Sequence, residues 1–247
     1  MINKILKQFN FQLVKTNQRL NPFSDFEDDF INILNKCKPY TMTSEERLYA
    51  MNKAVEYLIK NNIPGDIVEC GVWRGGSTMC ALLGLVKMGK PDRNIFLYDT
   101  FDGMSEPTEK DANLLGKDAK QLLDESQKTT EDTMWCYAPI EDVKKNIEST
   151  SYPHQLVTYI KGKVEDTIPG TMPGEIALLR LDTDWYESTY HELKFLFPKL
   201  VKGGVLIIDD YGHWQGAREA VDQYFEENNI NMLLNRIDYT GRIGIKM

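Results

Sequence analysis

The chain has 247 residues, enough for one large α/β domain, and its 29 basic and 37 acidic residues give a net charge of −8. An acidic surface argues against nucleic acid or an anionic membrane as the main partner. The four cysteines lack CxxC or zinc-like spacing, no apolar run reaches membrane-spanning length, and the amino terminus has no signal-peptide pattern. We therefore expect a soluble, cytoplasmic protein with reduced thiols.

Residues 1–40 are predicted to form an arm with one helix, which precedes a single domain in residues 41–247. Ser24 and Glu27 have the spacing of a capping box, and apolar residues follow at helical spacing. An apolar arm packs either on its own domain or on a second copy of the chain. The sequence leaves both open, and a homodimer or larger assembly is a reasonable expectation.

From Thr43 onwards, apolar runs of strand length alternate with amphipathic helices. A second capping box, Thr43 with Glu46, predicts one helix, and another is expected from about Thr78 to Val86. Nearly all-apolar strands separated by helices predict an α/β fold, a mostly parallel sheet with helices on both faces. The strands are expected in 66–71, 94–103, 156–162, 175–182 and 203–210, with a possible antiparallel hairpin formed by NMLLNRI and RIGIKM at the sheet edge.

Residues 104–155 interrupt this alternation, because they are polar and too long for an ordinary connection between a strand and a helix. One weak helix is expected around Leu114, Leu115, Leu122 and Leu123, and another from Ile140 through Val143 and Ile147. Such an insertion after a strand often closes over a ligand as a lid. A merely decorative excursion is the alternative.

Acidic residues follow the apolar strands where these end. Asp182 and Asp184 end one buried strand, and Asp209 and Asp210 end the next. The carboxyl ends of parallel strands share one edge, where ligands bind. Because carboxylates are costly to desolvate without a cation, the pattern predicts a divalent metal with a polar substrate beside it. Aspartates that only cap the following helices are the alternative, above all for Asp184.

The first strand ends in VECGVWRGGS, a glycine turn that is not the GxGxxG dinucleotide fingerprint. Gly71 allows a tight turn, and Gly75 and Gly76 allow a ligand close to the backbone. Asp99 ends the second strand, where an acid can accept both hydroxyls of a ribose. The glycine turn with Asp99 predicts an adenosine-type cofactor, and the absence of GxGxxG disfavours a nicotinamide-dependent oxidoreductase.

Several ordered segments together resemble the TylF/MycF/NovP family of macrocin-type O-methyltransferases. They are VECGVWRGGS, FLYDTFDGM, LLRLDTDWYEST, LFPKLVKGGVLIIDDYGHWQGAREAVDQYF and IDYTGRIGIKM. The resemblance runs from about Tyr40 to the end of the sequence and weakens in 104–155. It implies a class I methyltransferase (Rossmann-like) fold with a seven-stranded sheet. It also implies S-adenosyl-L-methionine and Mg²⁺ as cofactors and the hydroxyl of a sugar or glycosylated small molecule as substrate.

The resemblance assigns the four aspartates different roles. It implies that Asp182, Asp209 and Asp210 bind Mg²⁺ and that Asp184 is the general base. Oxygen ligands suit Mg²⁺, which acidifies a bound alcohol, and a carboxylate can accept the proton. If the chain turns at Thr183, the roles of Asp182 and Asp184 could exchange.

The same resemblance places the cofactor along the first, second and third strands. It puts the ribose on Asp99, the methionine end near Glu69 and Gly71 with the Tyr40–Thr43 entry, and the adenine edge near Val164 and Glu165. Where many methyltransferases have GxGxG, this chain has Trp73 at the middle glycine, which the TylF family tolerates. The full set of cofactor candidates is Tyr40, Met42, Glu69, Gly71, Gly75, Ser77, Asp99, Val164 and Glu165.

Five further residues are candidates for substrate contacts: Trp185, Tyr211, His213, Trp214 and Arg242. The two tryptophans could form the floor of a sugar pocket or pack beneath the loop. His213 could orient substrate or cap a helix, and Arg242 could anchor substrate or form a salt bridge in the hairpin. A catechol or phenol O-methyltransferase and a non-catalytic, metal-dependent glycan-binding protein are the rival functions.

Overall fold

The structure is a computed structural model that describes residues 23–130 and 134–247. The amino-terminal stretch examined for a signal peptide and the first part of the arm lie outside these residues. One sheet contains β1 Asp66–Cys70, β2 Ile95–Asp99, β3 Val157–Lys161, β4 Ile176–Leu181, β5 Leu200–Ile208, β6 Asn235–Arg236 and β7 Arg242–Ile245. The α-helices described are α1 Asp28–Cys37, α2 Glu45–Lys60, α3 Gly76–Lys87, α4 Ala119–Asp124, α5 Ile140–Glu148, α6 Val164–Thr167, α7 Tyr186–Leu196 and α8 Gln215–Glu227.

The strand order across the sheet is β3-β2-β1-β4-β5-β7-β6. The first five strands of the chain run parallel, whereas β7 pairs antiparallel with β5 and with β6. The predicted parallel sheet with an antiparallel closing hairpin is confirmed. Because the order reverses between β1 and β4, a ligand crevice is expected where these two strands end.

Each face of the sheet has its own apolar core, because successive side chains of a strand point to opposite faces. In β1, Ile67 belongs to the core formed with α1, α2, α3 and α5. Its neighbours Val68 and Cys70 belong to the core formed with α6, α7 and α8. Helices therefore cover both faces, which explains why the strands contain so few polar residues.

The helix starts differ from the predicted capping boxes. Helix α1 begins after Glu27, which makes no side-chain cap, so the box with Ser24 is not formed. Helix α2 is capped by Ser44, whose hydroxyl accepts a hydrogen bond from the amide of Arg47 at 3.2 Å; Thr43 precedes the cap. Helix α1 packs on α2 and α3 of its own chain.

The insertion carries less helix than predicted in its first half. Leu114 and Leu115 lie outside α4 and are 49% and 84% exposed, whereas Leu123 is buried. The predicted second helix is present as α5. A small apolar group, named the insertion core, consists of Ala119, Leu123, Trp185, Trp214 and Ala217. In the described part of the chain no helix is long and apolar enough to cross a bilayer.

Candidate active site

A pocket of about 330 Å³ opens at the carboxyl ends of the strands. One end is lined by Gly71, Asp99 and the start of α6; this is the cofactor end. The other is lined by Asp182, Asp184, Asp209 and Asp210; this is the carboxylate end. The edge predicted to carry the acidic residues therefore does form a cavity.

At the cofactor end, the backbone holds Asp99 in place. Its carboxylate accepts hydrogen bonds from the amides of Val72 at 2.7 Å, Trp73 at 3.0 Å and Phe101 at 2.7 Å. Burial raises the pKa of Asp99, while these backbone hydrogen bonds oppose the shift. The turn after β1 and the end of β2 are thus locked together by one carboxylate.

The glycines after β1 serve the chain's own packing. Gly71 has a φ of +80°, and a side chain there would overlap the backbone of Asp182, so β1 and β4 end in close contact. A Cβ on Gly76 would lie 2.6 Å from the Tyr40 carbonyl oxygen. The prediction that Gly76 makes room for a ligand is wrong, because the chain itself occupies that space. Gly75, with a φ of +87°, lies next to Ile147 rather than in the pocket wall.

The other cofactor candidates divide between the pocket wall and the layer beneath it. Met42, Ser77, Val164 and Glu165 line the pocket. Glu69 is 2% exposed and lies beneath it, accepting hydrogen bonds from the hydroxyls of Ser77 and Thr78. Tyr40 also lies outside the wall, with the guanidinium of Arg74 over its ring. The Glu165 carboxylate accepts a hydrogen bond from Ser188 at 2.7 Å.

At the carboxylate end, Asp182, Asp184 and Asp210 converge. One oxygen from each lies within 4.8 Å of the others. The chain turns sharply here, because the Trp185 amide donates to the Thr183 carbonyl at 2.7 Å around Asp184, whose φ is +66°. The turn brings Asp184 beside Asp182, so both carboxylates belong to the converging group.

These three carboxylates fit a divalent cation. One oxygen of Asp210 is buried and has no hydrogen-bond partner among the described residues. Desolvation raises the pKa of Asp184 to about 7, and it also raises the pKa values of Asp182 and Asp210, each of which lies beside other carboxylates. A set of hard oxygen donors with unmet charge is the kind of site that Mg²⁺ prefers.

Asp209 is partnered differently from the other three. One of its oxygens accepts from Arg180 at 2.6 Å, and the other forms an ion pair with Arg47. The three carboxylates that converge therefore include Asp184, whereas the resemblance implied Asp209 as the third metal ligand. A ligand role for Asp209 stays a prediction, and it would require one of its oxygens to be shared between an arginine and the metal.

Arg180 and Arg47 are the site residues that the sequence reasoning missed. Arg180 is 2% exposed and bonds Glu69, Asp182 and Asp209, which joins β1, β4 and β5 beneath the pocket. Arg47 also bonds Asp238 at 3.0 Å. A signal was present in LLRLD, since an arginine inside an apolar strand needs buried carboxylates as partners.

Of the substrate candidates, only His213 and Trp214 line the pocket. Burial lowers the pKa of His213, whose Nδ1 lies 3.4 Å from the Tyr239 hydroxyl. Trp185 is 1% exposed and packs edge-on against Trp214, with 4.9 Å between ring centroids. Trp185 therefore packs beneath the loop, which was the alternative to a role in a sugar pocket.

Tyr211 and Arg242 lie outside the pocket wall. The guanidinium of Arg242 stacks 4.9 Å from the Tyr211 ring centroid and donates to the carbonyls of Thr240 and Gly241. The salt bridge considered for Arg242 does not form, because the side chain binds backbone carbonyls of its own hairpin.

The sequence and the structure match one family of known proteins. The family described as Macrocin-O-methyltransferase (TylF) matches residues 32–243. One relative is the 8-demethyl-8-(2,3-dimethoxy-alpha-L-rhamnosyl)-tetracenomycin-C 4'-O-methyltransferase of Streptomyces olivaceus. It is 35% identical over 202 residues, which cover 82% of this chain and 74% of the relative. The mycinamicin III 3''-O-methyltransferase of Micromonospora griseorubida is 30% identical, covering 82% of this chain and 76% of the relative.

Solved structures agree with these relatives. The O-methyltransferase NovP matches with a TM-score of 0.73 and 31% identity, over 84% of this chain and 82% of NovP. An O-methyltransferase of Bacillus cereus, solved in complex with SAH, shares only the fold, at a TM-score of 0.51 and 12% identity over 99% and 97% of the two chains. The predicted class I methyltransferase fold, which binds S-adenosylmethionine, is confirmed. The chain belongs to the macrocin-O-methyltransferase (TylF) family, and it is an O-methyltransferase.

Proposed function

We propose that the protein transfers a methyl group from S-adenosylmethionine to a hydroxyl of a sugar or glycosylated small molecule, with Mg²⁺ as cofactor and Asp184 as general base. The observation that carries this proposal is the convergence of the Asp182, Asp184 and Asp210 oxygens within 4.8 Å, in the same pocket as Asp99. The name of the Streptomyces olivaceus relative, whose substrate is a rhamnosyl-tetracenomycin, supports the substrate class.

Each end of the pocket has a separate task in this proposal. When bound, S-adenosylmethionine supplies an electrophilic methyl group and Mg²⁺ a Lewis acid that acidifies an alcohol. Asp99 would orient the ribose, and Asp182 and Asp210, with Asp209 as the further ligand that the resemblance implies, would hold the metal. Asp184 would accept the hydroxyl proton, and His213 and Trp214 line the pocket where a sugar ring would lie.

The direct test is formation of S-adenosylhomocysteine with a panel of acceptors. Purified protein, S-adenosylmethionine and Mg²⁺ are incubated with simple glycosides, glycosylated natural products and catechols, and products are identified by mass spectrometry. We expect methylated glycosides and loss of activity with EDTA. Methylation of catechols alone would replace the proposed substrate class, and methylation unaffected by EDTA would remove the metal from the mechanism.

A homo-oligomer is a further part of the proposal and is tested by light scattering coupled to size-exclusion chromatography. The apolar side of α1 is buried on its own chain through Phe30, Ile33, Leu34 and Cys37. An oligomer would therefore use another surface.

A further inference from the structure

The turn that carries Asp184 is strained and needs support. Asp184 lies between Thr183 and Trp185 in a turn closed by a hydrogen bond from residue 185 to residue 183, with a positive φ. Three-residue turns of this hand are rare for residues other than glycine. Such a conformation persists only where the surrounding structure holds it. The contacts around this turn therefore identify what positions the carboxylates.

Asp111, in the insertion, binds the chain directly after this turn. Its side chain is fully buried, and one carboxylate oxygen accepts a hydrogen bond from the Tyr186 amide at 2.8 Å. The other oxygen accepts from the amide of Thr108 at 2.7 Å and from its hydroxyl at 3.0 Å. Tyr186 begins α7 two residues after Asp184, so Asp111 fixes the point where the turn enters the helix.

The same carboxylate also contacts the chain that follows Asp210. A Cβ on Gly216, in the first turn of α8, would overlap an oxygen of Asp111. Beside this contact, the Gln215 amide donates to the Ala112 carbonyl at 2.8 Å. One buried side chain of the insertion thus contacts the first turns of both helices that follow the converging carboxylates.

The insertion core strengthens this arrangement. The Trp185 indole donates to the Ser105 carbonyl at 3.0 Å, and Trp185 packs against Trp214. Ala119 and Leu123 bury the other side of the pair. Residues 105–123 therefore pack as a wall behind the carboxylates, and closure of the insertion over a ligand stays a prediction.

We infer that Asp111 is a positioning residue of the metal site: it holds the loops after β4 and β5 so that Asp182, Asp184 and Asp210 converge. This inference rests on the metal-binding part of the proposed function. Nothing in the local sequence indicates it, because Asp111 and Tyr186 are 75 residues apart.

The test compares three variants with the wild type by calorimetric titration of Mg²⁺ and, separately, of S-adenosylhomocysteine. We expect Asp111→Ala to lower Mg²⁺ affinity at least tenfold and to leave S-adenosylhomocysteine affinity within twofold, because the cofactor end has its own contacts. Gly216→Ala should do the same, since its methyl group displaces the carboxylate without deleting it. Asp118→Ala is the matched control, because Asp118 caps α4 of the insertion and touches neither loop.

Unchanged Mg²⁺ affinity in both Asp111→Ala and Gly216→Ala would overturn the inference, and so would an equal loss of affinity for both ligands. If Asp111→Ala does not fold, Gly216→Ala carries the test. A wild type that binds no Mg²⁺ would refute the metal part of the proposed function instead. In that case the inference is tested by amide hydrogen exchange in residues 182–186 and 209–214. Faster exchange in Gly216→Ala than in the wild type and in Asp118→Ala would support the inference, and equal exchange would overturn it.

Discussion

The two ends of the pocket satisfy their carboxylates in opposite ways. At the cofactor end, Asp99 accepts hydrogen bonds from three backbone amides. At the carboxylate end, an oxygen of Asp210 is buried and accepts no hydrogen bond from the part of the chain that the structure describes, and burial raises the pKa of Asp184. The cofactor end is complete without a ligand, whereas the carboxylate end has stability to gain from a cation.

Arg180 marks the boundary between the two ends. It bonds Glu69 beneath the cofactor end and Asp182 and Asp209 at the other. With Arg47, it pairs both oxygens of Asp209, whereas Asp182 shares Arg180 with Asp209 and Glu69, and Asp184 and Asp210 form no ion pair with a described residue. The comparison predicts that substitutions at the two ends have separable effects.

The largest effect is expected for Asp184→Asn. Loss of a general base typically lowers turnover by about 10² to 10⁴-fold. Binding of S-adenosylhomocysteine should be retained, because the amide keeps the shape of the side chain. Mg²⁺ should still bind through Asp182 and Asp210, but more weakly, because one of the three converging charges is lost. Initial rates with an acceptor from the glycoside panel measure the first effect, and calorimetry measures the second. Activity equal to the wild type would remove Asp184 as the base.

Asp209→Asn and Asp210→Asn should differ, although the two residues are adjacent. Asp209→Asn weakens the pairing of buried Arg180 and of partly buried Arg47, and it should cost about 3 kcal/mol in the free energy of unfolding. Asp210→Asn should leave the free energy of unfolding unchanged in the absence of metal, but it should weaken Mg²⁺ binding. Urea denaturation with and without Mg²⁺ separates them. If Asp209→Asn is as stable as the wild type but binds Mg²⁺ more weakly, Asp209 acts mainly as a metal ligand.

Asp99→Ala should act at the cofactor end alone. It removes a charged acceptor, a contact worth about 1.5 to 3 kcal/mol, so we expect roughly ten- to hundredfold weaker binding of S-adenosylhomocysteine. Mg²⁺ affinity should stay at the wild-type value, which calorimetry checks in the same samples. A parallel loss of Mg²⁺ affinity would show that the two ends are coupled, contrary to the comparison.

The smallest effect is a pH dependence of the metal-free protein. The pKa of Asp184 is about 7 in the folded chain against 3.8 ordinarily, so between these values the folded state keeps a proton that the unfolded state has lost. Stability from this group therefore falls as pH rises from about 4 to 7, by on the order of 1 kcal/mol after solvent screening. Mg²⁺ favours the ionised form and should stabilise more at pH 8 than at pH 6.

Melting temperatures at both pH values, with and without Mg²⁺, check this expectation. Asp184→Asn is the control, because it removes the titrating group while other titrations remain. A metal-free wild type that becomes more stable relative to Asp184→Asn as pH rises would contradict the assigned pKa shift.

The features that were predictable depend on local patterns. Apolar strands alternating with helices indicated the parallel sheet, and the acids at the ends of β2, β4 and β5 indicated the pocket edge. The glycine turn with Asp99 was visible for the same reason, since a tight turn and a strand end are local. The capping boxes were misplaced because the spacing of Thr43 with Glu46 does not reveal that Ser44 is the residue that caps.

By itself, the sequence determined the alternation of strands and helices and the placement of Asp99, Asp182, Asp184, Asp209 and Asp210 along one edge of the sheet. Only the tertiary structure decided that Asp209 pairs with arginines while Asp184 joins Asp182 and Asp210. The physical reason is that the partners are far apart in sequence and meet only when separate elements of the fold pack together. Arg47 reaches Asp209 across 162 residues, and no period or spacing in the chain specifies such a pairing.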